Sequence, residues 1–250
     1  MMIQKEDNDM EQNSLSLRPF ADSLLSDEVK ETAIDVSEVF LDSRLEDFPI
    51  FQSLPALKIF IGLGKTAQNI QAKMEWKNQL AFLCQFKRGF VDEDALKKRK
   101  EAYRNKEKWF FREVENLVVY MSKFTSITKA KLQAEIYMDY LNGDITWERY
   151  MESLDVLLHL FLCDIPHLLE IYRAEVCAAL DYDDILDFRT KIKTEFKATE
   201  CKRLMAIGLL HQLHPMSFGF SLDNHFITSD TGRYFCNVIS RFKESADLFA

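Results

Sequence analysis

Seven glycines and five prolines are all the turn-forming punctuation that this 250-residue chain contains. A sheet-rich fold turns about every 8–12 residues, and tight turns draw on Gly for positive φ or on Pro for a fixed φ. Such scarcity predicts helices. The chain is 47% hydrophobic and 29% charged, which excludes collagen-like, low-complexity and wholly disordered classes and supplies enough apolar material for a sizeable core.

Charge is unevenly placed. The net charge is −8, and residues 1–47 hold 13 Asp/Glu against 4 Lys/Arg. The remainder is close to neutral, so the acidity belongs to the N-terminal arm. A balanced body carries no global electrostatic footprint for nucleic acid, although a local patch can still provide one. Five cysteines at positions 84, 163, 177, 201 and 236 are odd in number and widely spaced, a pattern of reduced thiols rather than of a disulfide framework. The N-terminus lacks the basic-then-apolar order of a secretory signal. The apolar stretches at 54–63, broken by Lys58, and at 156–163 fall short of the roughly 20 residues that span a bilayer. The expected location is cytoplasmic, with no stable transmembrane anchor.

Apolar periodicity divides the chain into a flexible acidic tail at 1–19, a helical body at 20–197 and a C-terminal subdomain of different texture at 198–250. Within the body, prolines at 49 and 55 interrupt the pattern. A helix over 68–87 carries Trp76, Leu80 and Leu83, and Asp92 is placed to cap the next one. Residues 96–123 are charged first and amphipathic later, with Phe110, Val114, Leu117, Val118 and Met121 at core-facing spacing. A helix at 128–141 stops at Asn142-Gly143. Trp147, Tyr150, Met151, Leu154, Leu158 and Phe161 form a further stripe, and Pro166 interrupts that helix or begins the next. In the tail, a short helix at 201–207 ends at Gly208. Phe218, Phe220 and Leu222 alternate like a strand, Phe226-Ile227 returns as a second, and Thr228 or Ser229 caps a last helix.

Several constellations invite chemistry. Gly62-Leu63-Gly64-Lys65-Thr66 ends like a phosphate-binding loop, but Ile59 stands where that loop needs its first Gly. Cys201, His211, His214, His225 and Cys236 are metal-ligating types without the close Cys pairs of a zinc site. Asp181, Asp183, Asp184 and Asp187 lie in one stretch, where helix capping already accounts for them. No catalytic residue, metal or cofactor is expected, and the chain is read as non-enzymatic. The strongest patch is basic: Lys97, Lys98, Arg99, Lys100, Arg104, Lys106, Lys108 and Arg112 against Glu101 and Glu107, interleaved with Tyr103, Trp109 and Phe110. Such a run fits phosphates, an acidic protein surface, the solvated face of a helix, or the chain's own acidic residues 22–47. Segment 48–64 is apolar and fits a buried helix or an interfacial one.

Residues 39–43, 47–51 and 63–65, with Trp76 to Leu83 and Tyr140 to Ile145, resemble an uncharacterised, mostly helical family of bacterial and phage-associated proteins over roughly residues 36–175. That resemblance implies a setting in bacterial defence or phage conflict and transfers no activity. Leu204 to Leu210, followed by Phe226 to Phe235, is similar to the close of winged-helix domains, where a helix ends in Gly-Leu, a hairpin forms the wing and Thr-x-x-Gly-x-x-Phe opens a last helix. The resemblance implies that Thr228 is the cap and Gly232 permits close packing. It offers only Lys202 and Arg203 before the wing, fewer bases than a DNA-reading module brings.

The expected fold is mostly α: a multi-helix body with a small α+β winged-helix-like C-terminal subdomain. The expected function is that of a non-enzymatic interaction or regulatory protein with a protein partner. Lys97, Lys98, Arg99, Lys100, Arg104, Lys108, Lys202 and Arg203 are the candidate partner-binding or nucleic-acid-binding residues. A nucleic-acid-binding regulator using the tail and the 97–112 run, and a membrane-perturbing effector using 48–64, are the alternatives.

Overall fold

A computed structural model describes residues 17–26, 70–180, 198–212 and 226–242. The tail before residue 17, the proline segment, the 48–64 stretch, the Gly-Lys-Thr loop, the Asp181–Asp187 cluster and residues 218–222 lie outside the described residues. The fold is mostly helical, with a small two-stranded antiparallel sheet near the C-terminus among the described helices. The chain divides into two compact units, within Met1–Tyr150 and Met151–Ala250. No helix among the described residues is long and apolar enough to cross a membrane.

In the first unit, residues 17–25 are helical. They are followed by α1 (Ile70–Arg88), α2 (Glu93–Arg104), α3 (Lys108–Lys123) and α4 (Ile127–Leu141). Helix α1 packs on α4 and α3, and α2 on α3. Phe82, Phe86 and Tyr137 form an aromatic cluster at α1–α4, with ring centroids 5.8–6.1 Å apart. Lys87 at the end of α1 donates to the carbonyls of Leu24 (2.6 Å) and Ser26 (2.5 Å), satisfying acceptors that the end of the 17–25 segment leaves open. Asn78, fully buried, does the same for α3: its amide donates to Met121 O and Phe124 O at 2.9 and 2.7 Å.

Asp92 caps α2, accepting from Ala95 N at 2.9 Å, as its position predicts. The continuous 96–123 element does not form. Helix α2 ends at Arg104, Asn105 provides its C-cap, and Lys106 turns through φ 55° before α3 begins. The reversal lets α2 fold back along α3, so both charged and apolar halves of the run meet the same core. Phe110, Val114, Leu117 and Met121 are buried as their spacing requires, whereas Val118, expected in the same stripe, is half-buried at its edge. Asn142 ends α4, and Gly143 follows at φ +80°.

Helix α5 covers Trp147–His159. In the second unit, a 3₁₀ turn (Leu162–Asp164) leads into α6 (Ile165–Leu180), with Pro166 in the first turn, where a missing N–H is harmless. Helix α7 (Ala198–Ala206), β1 (Leu210–Gln212), β2 (Phe226–Thr228) and α8 (Asp230–Arg241) complete it. Gly208 leaves α7 at φ +79°. The strands pair Leu210 with Thr228 and Gln212 with Phe226, so the described partner of β2 is the segment that starts two residues after Gly208. Ser229 is the cap of α8: its hydroxyl accepts from Gly232 N at 2.9 Å and donates to Gly208 O. Thr228, the cap that the winged-helix resemblance implies, instead donates its hydroxyl to Glu175 at 2.6 Å. A Cβ on Gly232 would stand 2.1 Å from Leu209 O, the close approach that the resemblance implies.

Candidate binding face

The basic run is divided between two helices by the turn at Lys106. Lys97, Lys98 and Arg104 on α2 and Lys108 and Arg112 on α3 are exposed, Lys100 is half-buried, and Arg99 is buried. Helical spacing explains the exception. Arg99 shares the inward side of α2 with Ala102, both buried, while its basic neighbours project outward.

Arg99 works inside the first unit. Its Nε donates to Glu113 Oε1 at 2.8 Å and its Nη1 to Ala95 O at 3.2 Å. Tyr137 donates its hydroxyl to the same Glu113 oxygen at 2.5 Å. The guanidinium also lies against two rings, 5.3 Å from the Tyr140 centroid and 5.9 Å from that of Trp109. Burial opposes the Arg99 charge, but Tyr137, Glu113 and Tyr140 around it hold its pKa above the ordinary value. Burial and the neighbouring Glu113 carboxylate push the Tyr137 phenol well up. The cluster therefore keeps Arg99 charged and Tyr137 protonated, and ties α2, α3 and α4 together.

Glu113 lies on the apolar face of α3, between Phe110 and Leu117, and is 4% exposed. It was legible as an anomaly: a carboxylate at i+3 from Phe110 and i−4 from Leu117, within a core stripe, requires a buried partner. Which cation supplies it is a matter of chain reversal, and periodicity cannot show that. The hydrogen bonds from Arg99 and Tyr137 both fall on Oε1.

Adjoining this cluster and sharing Trp109, Glu113 and Tyr140 with it, a groove of about 540 Å³ is lined by Lys108, Trp109, Arg112, Glu113, Asn116, Tyr140 and Trp147. Five of these occupy one side of α3. Tyr140 and Trp147 meet edge to face at 5.2 Å, and Trp147 packs on Tyr150 at 5.1 Å. Trp109 is 37% exposed. Its indole donates to Glu107, and Lys98 lies over its ring at 5.8 Å. A face of this kind can stack on planar or apolar groups and attract anions at its rim.

Lys202 and Arg203 are on α7 in the second unit. Lys202 is exposed. Arg203 donates through Nε and Nη2 to both oxygens of the buried Asp164, at 2.8 and 2.5 Å, and lies 5.4 Å from the Phe161 ring. That fork-to-fork pair, with the Asp164 hydrogen bond its leading cause, pushes the Arg203 guanidinium further up. Its Nε and Nη2 are committed to the fold. Of the metal-ligating types, Cys201 and Cys236 are buried and His211 is exposed, while His214 and His225 lie outside the described residues. Among the described residues no group of three or more His, Cys, Asp or Glu is placed to hold an ion.

No protein-family model, no curated protein sequence and no solved structure matches the chain.

Proposed function

We propose that this chain is a non-enzymatic interaction protein with a regulatory role, and that it meets its partner through the α2–α3 face. One observation carries the reading: Lys97, Lys98, Arg104, Lys108 and Arg112 are all exposed on α2 and α3 beside the half-open Trp109, whereas Arg99 is buried. A partner of opposite charge, presenting an acidic protein surface, suits that face. Three of the four described thiols are set against nucleophilic use, and of the four only Cys163 is exposed. Burial pushes the thiols of Cys84 and Cys201 up to about 11 and that of Cys236 up to about 12, so they are poor thiolate sources at neutral pH.

The resemblance of residues 36–175 to a bacterial and phage-associated family supports a setting in defence or phage conflict. Phage plating efficiency on a host with and without the chain measures that part directly; equal plating across a broad phage panel would remove it. The partner reading is tested by co-purification from the native host, comparing the wild type with a Lys97→Glu, Lys98→Glu, Arg104→Glu, Lys108→Glu variant. A partner that the wild type retains and the variant loses supports the face. Equal retention would place the interaction elsewhere on the molecule.

The nucleic-acid alternative through the C-terminal tail retains Lys202, since Arg203 is held by Asp164. The membrane alternative rests on 48–64, outside the described residues. Its test is Ile59→Asp, which abolishes liposome flotation if the segment is interfacial and lowers the melting temperature if it is core.

A further inference from the structure

We propose that the basic face of α2 and α3 is occupied by the chain's own acidic segment, residues 27–47, which a partner displaces on binding. The inference rests on the reading of α2–α3 as the binding face and adds what regulates it.

Charge selects this occupant. Residues 27–47 hold eight Asp/Glu against Lys30 and Arg44, a net of −6. Leaving aside Arg99, which Glu113 already balances at 2.8 Å, the 97–112 run keeps seven bases against Glu101 and Glu107, a net of +5. The spacing matches as well as the sign. Glu28, Glu31, Asp35, Glu38, Asp42 and Glu46 recur every three or four residues, and Lys97, Lys100 and Arg104 follow the same interval along α2. Rows of opposite charge at matched intervals favour each other and discriminate against like-charged surfaces.

The first unit brings the start of the segment to that face. Tyr103, between Lys100 and Arg104 on α2, donates its hydroxyl to Asp22 at 2.5 Å. Phe20 packs on Phe82 with ring centroids 5.9 Å apart, and Lys87 holds the carbonyls of Leu24 and Ser26. The residues immediately before the segment are therefore anchored to α1 and α2. Residues 27–47 are long enough to follow the whole of α2, which is about 18 Å from end to end. Covalent attachment gives the segment an effective concentration on the order of millimolar at the face, well above that of a free acidic protein. The other acidic run, Asp181 to Asp187, belongs to the second unit. A partner then binds with an affinity reduced by the fraction of molecules whose face is open.

The experiment is calorimetric titration of the full chain with decaglutamate at low salt. The variant Glu31→Gln, Asp35→Asn, Glu38→Gln, Asp42→Asn weakens the internal occupant, and should bind the probe about tenfold or more tighter than the wild type. The variant Asp181→Asn, Asp183→Asn, Asp184→Asn, Asp187→Asn changes the net charge equally and should bind like the wild type. Adding Lys97→Glu and Arg104→Glu to the first variant should remove its gain. Zero-length carbodiimide cross-linking of the wild type should join carboxylates of 27–47 to Lys97 or Lys98 within one chain. Equal affinity of the wild type and the first variant, an equal gain in the second, or cross-links that are absent or form only between two copies would overturn the internal occupant and leave the face standing. No decaglutamate binding by the first variant would overturn both the occupant and the acidic-partner reading on which it rests.

Discussion

Arg99→Met isolates what the buried cluster contributes. The substitution keeps a long apolar stem in place but leaves the Glu113 carboxylate, 4% exposed, without the cation that meets it at 2.8 Å. Breaking one side of a buried pair costs about 3–5 kcal/mol, because the surviving charge stays desolvated. Tyr137 still donates to Glu113, which places the expected loss at the lower end, about 3 kcal/mol. For a chain of this size that corresponds to a melting temperature lower by roughly 6–12 °C. The double change Arg99→Met, Glu113→Leu removes both charges and should recover most of the loss, since apolar replacements of buried pairs are often close to neutral. Urea unfolding followed by tryptophan fluorescence is the assay. The chain's three tryptophans, Trp76, Trp109 and Trp147, all belong to the first unit, so the signal reports that unit. A single-variant loss below about 1 kcal/mol, the range of an exposed pair, would refute the reasoning.

Gly232→Ala should destabilise the second unit by about 1–3 kcal/mol, since the new Cβ meets the Leu209 carbonyl at 2.1 Å and backbone cannot step aside; far-UV circular dichroism in urea measures it, and a neutral result contradicts the close packing. Among the four cysteines whose exposure is described, Cys163 alone is exposed, and it should be the first labelled by iodoacetamide at pH 8, as read by peptide mass mapping; faster labelling of Cys84, Cys201 or Cys236 would contradict their burial. Those three thiols are raised from an ordinary 9.0 to between about 11 and about 12. The fold therefore favours their protonated form, and that stabilisation is complete below about pH 9 and is lost as pH rises towards 11–12. Urea midpoints at pH 8, 9.5 and 10.5 should fall in that order, and a rise would reverse the assigned sign.

Local chemistry in the sequence translated into local structure almost residue by residue. Asp92 caps α2, Asn142-Gly143 ends α4, Gly208 ends α7, and the 110/114/117/121 stripe faces the core. These features depend on side chains within one helical turn, and so a sequence displays them. The break at Lys106 was hidden because Arg-Asn-Lys-Glu is helix-compatible; a left-handed Lys is imposed by packing α2 back onto α3. The stripe on α5 was read as 147/150/151/154/158/161, whereas Tyr150, Leu154 and Leu157 are buried and Phe161 is 59% exposed, because the helix ends at His159 before Phe161 can join the stripe. Charge legibility was of another kind. Eight basic residues at 97–112 read as one patch, and Arg203 as a further candidate, but whether each faces solvent depends on tertiary partners: Glu113 takes Arg99 from fourteen residues away, and Asp164 takes Arg203 from thirty-nine. The groove was least visible, since Tyr140 and Trp147 come from α4 and α5 and meet α3 only on folding.

The most direct test of the α2–α3 face is site-specific photocrosslinking in the native host. A photoreactive phenylalanine analogue at position 109 places the probe beside Lys98 and at the groove. The same analogue at position 161, 59% exposed in the second unit, controls for exposed aromatic surface. The proposed function predicts a discrete adduct at 109 that disappears with Lys98→Glu, Arg104→Glu and Arg112→Glu, and no such adduct at 161. A strong adduct at 161 with none at 109 would contradict it.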